Sequence, residues 1–509
     1  MYQKIGGLTV KPYFLVLDCG ATTLRAVSVG EKGQILSIAS LPNVPRSQNG
    51  CENCLIWDLD EIWDKFLQVI PQVLSQVEGE LKGVTVTTFG ADGTTVKNDG
   101  TLTYPVISWQ CSRTAGWASK IASLISPREI FRLTGYQVIP FNTIIKLLWM
   151  RENVPDALDE ADAYMMMPGL LSYKLCGEMS FDYTSASTTM MIDIRTKKWS
   201  ERLLSLAGLD DTFFPPLVKS GHVVGRVTKR VAIETGIPQG TPVIATGHDT
   251  QFALVGSMAS KNEIVLSSGT WEIAAIRIPE YRDSDRAFET GMLTEFDAED
   301  GLWNPQMLMM AGGVVEWMRR NLYADVKDRP DIYSFMIDNA KCVVPGAGGV
   351  VVIPSFMPSG PNKPYSTQGT ILGLGLTTDR SQVYRAALEG LSFQLKQAVK
   401  AFQEAFAFEP TGVRVVGGGS KNQLWNQIRA DVLGLPVITT SCQEGTVLGA
   451  TLFSMVGSGL VASIEEAKER IEITTRVWEP SPDQEQYQAL FHEYEKLPVS
   501  LAYFYRNKS

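Results

Sequence analysis

The chain lacks the features of nucleic-acid-binding and membrane proteins. Its 46 Lys and Arg residues stand against 55 Asp and Glu residues, which gives a formal net charge of −9, and no Lys/Arg block could follow a phosphate backbone. No stretch approaches the roughly 20 apolar residues of a membrane-spanning helix. The N-terminal segment also has no long apolar core and no small-residue cleavage site. We therefore predict a cytoplasmic protein with no nucleic-acid partner and no membrane contact.

Cysteine is scarce and scattered. The seven cysteines are an odd number, which favours reduced thiols over a disulfide framework. Cys51 and Cys54 form a C-x-x-C pair, but no second pair and no nearby His-x-x-His completes four zinc ligands. We interpret these two residues as thiols in a polar loop.

Both common nucleotide-binding fingerprints are missing. The sequence contains no G-x-x-x-x-G-K-[ST], and no G-x-G-x-x-G opens a helix after a strand. The 509 residues and the 44% hydrophobic composition are enough for two or three domains. A nucleotide site in this chain would therefore need another design.

Two similar strand–turn–strand patterns suggest such a design. FLVLDCGATTLRAVSV at 14–29 and EIVLSSGTWEIAAIRI at 263–278 each place glycine and small hydroxylated residues between two apolar runs. Backbone N–H groups and hydroxyls in such a turn can hold phosphate oxygens. Either pattern alone could be a tight surface turn, but two of them could hold one polyphosphate from both sides.

A glycine run provides a third element. The predicted strand 413–416 is followed by Gly417–Gly419 and then by a predicted helix. Ser420 and Gln423 are spaced as a capping box at its start, and Gly434 is a suitable end. Glycines between a strand and a helix N-terminus let a planar or anionic ligand lie against bare backbone.

A candidate general base lies between the two patterns. In VIATGHDTQFALVG, residues 243–256, an apolar strand ends at Gly247 and is followed by His248, Asp249 and Thr250. An aspartate at a strand end beside a glycine can be held rigidly and still reach a ligand. The alternative is that Asp249 only caps the helix that QFALVG begins.

Taken together, these stretches resemble the FGGY carbohydrate kinases. The resemblance covers residues 12 to 475 and includes VTTFGADG, YPVISWQCSRTA, VGGGSKNQLWNQI and the segment GTILGLGLTTDRSQVYRAALE at 369–389. It implies an α/β fold of two ribonuclease-H-like domains, as in actin, Hsp70 and hexokinase, with an interdomain cleft. The implied domains are 1–249 with the sugar site and the first phosphate turn, 250–475 with the second phosphate turn and the adenosine site, and a helical tail at 476–509.

The resemblance also implies a site for Mg-ATP. Asp18 would help to hold Mg²⁺ through water, because magnesium keeps several waters and takes one or two carboxylates. The nucleotide-binding residues would be Gly20, Ala21, Thr22, Thr23 and Arg25 in the first turn, Ser268, Gly269 and Thr270 in the second, and Gly418, Gly419 and Asn422 beside the adenosine.

The same resemblance assigns the sugar site. Asp249 would be the catalytic base that takes the proton from the sugar hydroxyl. The residues implied to contact the sugar are Gly90, Asp92, Trp109, His248 and Thr250. For two of them an alternative stays open, since Trp109 could belong to the core and His248 could serve packing alone.

The expected reaction is transfer of the γ-phosphate of ATP to O1 of a ketose. We expect L-fuculose as the sugar, with L-rhamnulose or another pentulose or 6-deoxyketose as the alternative. Glycerol is disfavoured, because the FGADG stretch and Phe141 stand where glycerol kinases have substrate-gripping residues. An actin-like or Hsp70-like nucleotide switch is the rival from another class. A small-molecule sugar is the expected partner, and self-association into a homo-oligomer is left open.

Overall fold

Two large mixed β-sheets, one in each half of the chain, form the framework of the protein. The computed structural model describes residues 4–5, 8–9, 11–48, 50–357 and 368–505. The first sheet has six strands, in the order Val223–Arg226, Pro242–Ile244, Glu80–Thr88, Pro12–Cys19, Thr23–Gly30 and Ile35–Pro42. The second has seven, in the order Leu293–Phe296, Trp303–Met310, Trp271–Ala275, Glu263–Ser268, Gly412–Val416, Val437–Thr440 and Thr475–Trp478.

The two sheets repeat one plan. In the first sheet, Pro12–Cys19 runs antiparallel to its hairpin partner Thr23–Gly30 and parallel to Glu80–Thr88. In the second sheet, Glu263–Ser268 has an antiparallel hairpin partner on one side and a parallel neighbour, Gly412–Val416, on the other. The two strand–turn–strand patterns predicted from the sequence therefore occupy equivalent places, and the expected α/β fold with two similar halves is confirmed.

Short strands and helices complete the molecule. The smaller sheets pair Lys4–Ile5 with Leu8–Thr9, Cys51–Trp57 with both Arg46–Gln48 and Val106–Ile107, Gly93–Val96 with Ala163–Met166, Phe181–Asp182 with Leu217–Val218, Ile192–Asp193 with Lys198–Trp199, and Val351–Ile353 with Thr370–Leu372. The α-helices are Leu59–Leu74, Trp117–Leu124, Pro127–Thr134, Thr143–Asn153, Pro155–Asp159, Met167–Cys176, Tyr183–Ser187, Glu201–Leu204, Lys229–Thr235, Asp249–Gly256, Asp285–Glu289, Gly312–Leu322, Ile332–Lys341, Arg380–Phe406, Gln423–Leu433, Gly445–Gly457, Ile464–Glu469, Gln484–Tyr494 and Leu497–Tyr505. The 3₁₀ turns are Ser112–Thr114, Ser205–Ala207, Asp211–Phe213, Ala324–Val326, Ala347–Gly349 and Gly418–Lys421. Within the described ranges, no helix has the length and apolar character needed to cross a membrane.

The central strand of the first sheet is buried on both faces. Pro12–Cys19 is buried at every position, which explains its nearly continuous apolar sequence. Side chains alternate between the two faces of a strand. Leu15 therefore packs with the helix Leu59–Leu74 on one face, and Phe14 packs with the helix Gly445–Gly457 on the other.

The position of one helix differs from the prediction. The apolar spacing of the sequence predicts that helices near 381–406 and 444–458 both pack in the core of the second half. The helix Arg380–Phe406 does so, but Gly445–Gly457 packs on the first sheet, in the same cluster as Val16. The middle of this helix is buried on every side, so its apolar pattern has no single face that could indicate its partner.

The helices Asp249–Gly256 and Gly445–Gly457, which we call the crossing helices, approach each other at their backbones. A Cβ atom on Gly449 would lie 1.9 Å from the carbonyl oxygen of Phe252, and a Cβ on Gly256 would lie 1.9 Å from a backbone oxygen of the partner helix. No side chain fits at such distances. Glycine at both positions is therefore what allows the crossing helices to pack on the same face of the first sheet.

The cysteine prediction is wrong for one pair. Cys51 and Cys54 form a disulfide, and they lie in a β-hairpin rather than a polar loop, because Arg46–Gln48 pairs with Cys51–Trp57. Both cysteines are on the same strand, where its pairing with Arg46–Gln48 shifts register, and their Cα atoms are 5.3 Å apart, within bridging range. The C-x-x-C spacing alone could not predict the disulfide, because this spacing occurs in loops, helices and hairpins.

Replacing Gly449 by alanine should destabilise the protein. We expect Gly449→Ala to lower the free energy of unfolding by roughly 1–3 kcal/mol, because the new methyl group forces the crossing helices apart. Urea unfolding followed by circular dichroism measures the change. Gly445→Ala is the matched control from the same helix, since its Cβ would lie 3.4 Å from the nearest atom, the carbonyl oxygen of Ala253. Equal unfolding midpoints for both variants would contradict the packing argument.

Candidate active site

A cavity of about 350 Å³ lies between the two halves of the chain. The first half, up to the start of the helix Asp249–Gly256, contributes Ala21, Phe89, Gly90, Ala91, Trp109, Tyr136, Ile139, Phe141, Thr188, His248, Asp249 and Thr250. The second half contributes Ile273, Leu293, Glu295, Gln306 and Leu308. Of the residues predicted to contact a sugar, all except Asp92 are in this lining. The structure thus brings together residues as far apart in the sequence as Ala21 and Leu308, which are 287 positions from each other.

Asp249 is the first residue of a crossing helix and has one carboxylate oxygen held in place. Its Oδ1 accepts hydrogen bonds from the backbone N of Thr250 at 2.6 Å and from the Thr250 hydroxyl at 3.3 Å. The Nδ1 atom of His248 lies 3.1 Å from the same oxygen. His248, and not Asp249, occupies the N-cap position of the helix, and its side chain makes no capping hydrogen bond. The alternative in which Asp249 is only a helix cap is therefore wrong.

The ring of His248 is packed and charged. A Cβ on Gly90 would lie 2.8 Å from the His248 Cε1 atom, so a glycine is needed for the ring to lie against this backbone. Burial disfavours the charged form of the imidazole, but the carboxylates of Glu295, Asp249 and Asp182 outweigh that effect and raise the pKa of His248 to about 9. His248 is therefore protonated at neutral pH.

The backbone before the helix is held by a buried pair. Thr184 accepts a hydrogen bond from the backbone N of His248 at 2.9 Å and donates one to Asp182 Oδ1 at 2.5 Å. At Gly247 a Cβ would lie 1.9 Å from the same Asp182 oxygen. These contacts hold the backbone at Gly247 and His248, and they therefore fix the position at which the helix begins with Asp249.

Asp92 lies in a different place from the one expected. Its side chain is fully buried and pairs with Lys146, while its Oδ2 accepts from Trp57 Nε1 at 2.7 Å and from the backbone N of Trp109 at 3.0 Å. The ammonium of Lys146 also donates to the carbonyl of Ala91 at 2.8 Å. Asp92 therefore supports the cavity wall from behind, and a direct bond to a sugar hydroxyl would require it to leave these partners.

Trp109 is at the wall of the cavity and is not core. Its side chain is 38% exposed, and its ring meets that of Phe141 edge to face, with the ring centroids 6.0 Å apart. Such a pair presents apolar surface together with the ring edges. The two rings give apolar surface to the same cavity that His248 and Asp249 line.

The first predicted phosphate turn is an open hairpin end. Gly20 N donates to the carbonyl of Thr23 at 3.0 Å, while the side chains of Thr22 and Thr23 are exposed. Asn43 is buried and braces the turn, since its backbone N donates to the Thr22 carbonyl at 2.9 Å and its side chain to the Gly20 carbonyl at 2.8 Å. Ala21 lines the cavity, so the turn adjoins the predicted sugar site.

Asp18 is at the end of the central strand and has two protein partners. Its Oδ2 accepts from Arg25 Nε at 2.8 Å and its Oδ1 from Thr87 at 3.1 Å. Burial raises the pKa of Asp18, and Arg25 counteracts this. Arg25 also pairs with Glu444 at 2.7 Å, at the start of the other crossing helix. No local pattern pointed to Glu444, because its partner is more than 400 positions away.

The second predicted turn and the glycine run lie against each other. A Cβ on Gly419 would lie 2.0 Å from Ser268 Oγ, and one on Gly417 would lie 2.7 Å from the Ser268 carbonyl. Ser268 donates to Glu272 at 2.6 Å, and both residues bond to the buried guanidinium of Arg429. Arg429 is on the helix that follows the glycine run, so this buried ion pair fixes the helix to the turn.

Gly269 and Thr270 lie at the start of another helix. The backbone N–H groups of Gly312 and Gly313 donate to the carbonyls of Gly269 and Thr270 at 3.1 and 3.0 Å. A Cβ on Gly312 would lie 2.3 Å from the Gly269 carbonyl. The pair Gly312–Gly313 was not singled out from the sequence, although two glycines after an apolar strand are a signal of the same kind as Gly417–Gly419.

The glycine run ends in a helix cap, but not at the predicted residue. Asn422 accepts from the backbone N of Trp425 at 3.1 Å, and its amide donates to the Tyr384 hydroxyl at 3.2 Å. Ser420 lies inside a 3₁₀ turn instead of capping the helix. A Cβ on Gly418 would have no other atom within 4 Å, so the backbone of Gly418 faces open space beside Asn422.

In the described part of the chain, no three His, Cys, Asp or Glu side chains gather as a metal cage. A magnesium ion that is shared with phosphate oxygens needs only one or two carboxylates. Asp18 and Asp249 lie close enough for the charge of Asp249 to raise the pKa of Asp18. Asp18 supplies the one carboxylate that a magnesium bound together with a nucleotide needs.

The fold and the site define a class of protein: a two-domain kinase with a cavity lined by residues of both halves. The FGGY family of carbohydrate kinases matches this chain, its N-terminal domain model over residues 13–256 and its C-terminal domain model over residues 264–458. The chain belongs to this family and is a carbohydrate kinase, a family whose members use ATP.

Named relatives agree with this assignment. L-fuculokinase of Escherichia coli (strain K12) is 39% identical over 472 residues, covering 92% of this chain and 98% of the relative. L-fuculokinase of Haemophilus influenzae is 34% identical over 469 residues, covering 91% and 98%. Among solved structures, xylulose kinase from Rhodospirillum rubrum superimposes with a TM-score of 0.87 at 21% identity, covering 97% of this chain and 100% of that one. The last similarity concerns the fold alone.

Breaking the Asp92–Lys146 pair should cost much more stability than breaking an exposed pair. We expect Asp92→Asn to lower the free energy of unfolding by roughly 3–5 kcal/mol, because it leaves the Lys146 ammonium buried without its counter-charge. Urea unfolding measures the loss. Glu152→Gln is the matched control on the Lys146 helix, since Glu152 pairs with Lys120 in solvent and should change stability by about 0.5 kcal/mol or less. A similar small effect for both variants would disprove the structural role of Asp92.

Proposed function

We propose that this kinase transfers the γ-phosphate of Mg-ATP to O1 of a ketose and that its substrate is L-fuculose. The observation that carries the proposal is the set of contacts that the Asp249 carboxylate makes at the cavity wall. Among the described residues, every hydrogen bond and ion contact of that carboxylate falls on Oδ1. Oδ2 is therefore the oxygen that can accept the proton of a sugar hydroxyl.

The reaction needs little covalent chemistry from the protein. As the sugar oxygen forms its bond to the γ-phosphorus, its proton passes to Asp249 Oδ2, and the bond between the γ-phosphorus and the leaving ADP oxygen breaks. The remaining task is to position the reactants and to stabilise charge. We assign the phosphates to the turns at Gly20–Thr23 and Ser268–Thr270, and the adenosine to Gly418, Gly419 and Asn422.

Asp18 is the residue that we assign to the metal. Magnesium, when bound, supplies positive charge to the phosphate oxygens. Arg25 occupies one oxygen of Asp18 and also contacts Glu444. We therefore expect Arg25 to exchange one of these carboxylates for phosphate oxygens when the nucleotide binds.

The walls of the cavity suit a sugar that has an apolar end. Trp109, Phe141 and Leu308 provide apolar surface, and His248, Asp249 and Glu295 provide polar groups. A cavity of this kind buries a methyl group on one side and bonds hydroxyls on the other. The wall supports a 6-deoxyketose, and the L-fuculokinase relatives favour L-fuculose over L-rhamnulose.

A substrate panel tests the proposed function. ADP release from Mg-ATP should be measured with L-fuculose, L-rhamnulose, D-ribulose, L-xylulose, D-xylulose and glycerol. We expect the largest kcat/KM with L-fuculose, and nuclear magnetic resonance of the product should place the phosphate on O1. A larger kcat/KM with another ketose would show that this ketose, and not L-fuculose, is the substrate. Lack of sugar-dependent turnover would refute the proposed function.

Removing the charge of Asp249 should impair turnover and leave nucleotide binding intact. We expect Asp249→Asn to lower kcat by roughly 10²–10⁴-fold, the range for the loss of a general base. Calorimetric titration with ATP should give a wild-type dissociation constant. Asp338→Asn, at an exposed pair with Lys341, is the control and should keep wild-type kcat. Near-normal turnover of Asp249→Asn would exclude the role as base.

The predicted cytoplasmic location and self-association into a homo-oligomer, together with the domain boundaries after residues 249 and 475, stay predictions.

A further inference from the structure

Glu295 is a buried acid at the wall of the sugar cavity that the sequence did not single out. It is on the edge strand Leu293–Phe296 of the second sheet and its residue is 2% exposed. Its Oε1 accepts a hydrogen bond from the Tyr136 hydroxyl, and its Oε2 accepts from Gln251 Nε2 at 2.5 Å. Among the described residues, no Lys or Arg pairs with Glu295, and a buried carboxylate with two neutral donors needs a further source of positive charge.

His248 is the cation that Glu295 faces. The Nε2 atom of His248 lies 3.7 Å from Glu295 Oε2, and its Nδ1 atom lies 3.1 Å from Asp249 Oδ1. The ring therefore lies within ion-pair distance of two carboxylates, one near each ring nitrogen. Asp182 is the third acid that raises the pKa of His248, and it is connected through Thr184 to the backbone N of His248. The backbone of Gly90 covers one face of the imidazole.

We infer that Glu295 is a positioning residue for phosphoryl transfer: it holds the protonated His248 ring against Asp249, so that one oxygen of the base is fixed and the other faces the sugar. This inference rests on the proposed function and names a further residue of the same site. Glu295 acts through His248 and does not itself exchange the proton.

The network also joins the two halves of the molecule. Glu295 belongs to the second sheet, Tyr136 to the first half, and Gln251 to the crossing helix that begins with Asp249. The orientation of the base is thus set by contacts from both sides of the cleft. A group anchored in this way keeps its geometry with little reorganisation when the sugar enters.

Charge, and not only hydrogen bonding, should determine the role of Glu295. Glu295→Gln keeps the shape and an acceptor for Tyr136 but removes the negative charge beside His248. Loss of an opposite charge at this distance lowers the pKa of the histidine. As the pH rises, His248 should then lose its proton earlier than in the wild type, in which the pKa is about 9. The ring would no longer hold Asp249 at pH values where the wild type still does.

Two measurements test the inference. The chain has only three histidines, so protein labelled with ¹³C at histidine Cε1 gives a simple spectrum in which His248→Gln assigns the resonance of His248. We expect the His248 titration in Glu295→Gln to move down by about one to two pH units. The alkaline limb of kcat/KM, measured with the ketose that the panel selects, should move down by the same amount. At pH 8.5 the loss in kcat should be roughly ten-fold, and it should be smaller at pH 6.5.

Three control variants separate charge from structure. Glu389→Gln is the control for removal of a buried acid, because Glu389 accepts from Tyr487 at 2.9 Å and pairs with Arg385 at 3.1 Å but is not among the residues that line the cavity. It should leave both titrations unchanged. Tyr136→Phe removes one hydrogen bond of Glu295 and keeps the charge, so the limb should stay within about half a pH unit of the wild type. Glu295→Asp should restore part of the shift.

The outcomes decide between the inference and the proposed function. An unshifted His248 titration in Glu295→Gln would overturn the ion pair, and a shifted titration with an unshifted kcat/KM profile would overturn its role in the reaction. A wild-type enzyme that turns over no sugar would refute the proposed function, and the positioning role in transfer with it. The histidine titration would still decide whether the Glu295–His248 pair exists.

Discussion

The close crossing of two helices is the constraint on which the rest of the site depends. One crossing helix begins at Asp249, and the other begins directly after Glu444, which reaches Arg25 in the first phosphate turn. Because Gly256 and Gly449 leave no side chain between the two backbones, the starts of both helices are fixed relative to the first sheet. The candidate base and the anchor of the phosphate turn therefore share one support.

Buried ion pairs then complete the site around this support. Lys146 and Asp92 stand behind the cavity wall, and Arg429 and Glu272 tie the second turn to the helix after the glycine run. Each pair is costly to desolvate, so neither is an efficient means of gaining stability. The two pairs instead fix the cavity wall and the second turn. Without them these parts would depend on glycine-rich backbone, which loses the most conformational freedom on folding.

Local chemistry explains which parts of the site could be predicted. Small hydroxylated residues between apolar runs predicted both hairpin turns, and Gly417–Gly419 predicted a close backbone approach, because these patterns reflect requirements within a few residues of chain. The place of Asp249 at a helix start followed from the same kind of local signal. Cys51–Cys54, the cap at Asn422 and the true neighbours of Asp92 were misjudged, since each depends on a hairpin register, a 3₁₀ turn or a lysine that local pattern leaves undefined.

The sequence by itself determined the repeated sheet plan, because apolar periodicity and glycine placement encode backbone shape directly. Its resemblance to the FGGY kinases determined the family. Only the tertiary structure decided that Gly445–Gly457 packs on the first sheet, that Asp92 turns away from the cavity towards Lys146, and that Glu295 faces His248. The first outcome depends on the close backbone contact at Gly256 and Gly449, and the other two depend on which buried charges pair. Such pairing is a property of the packed molecule, since residues 40 to 400 positions apart become neighbours only when both sheets and the helices between them are in place.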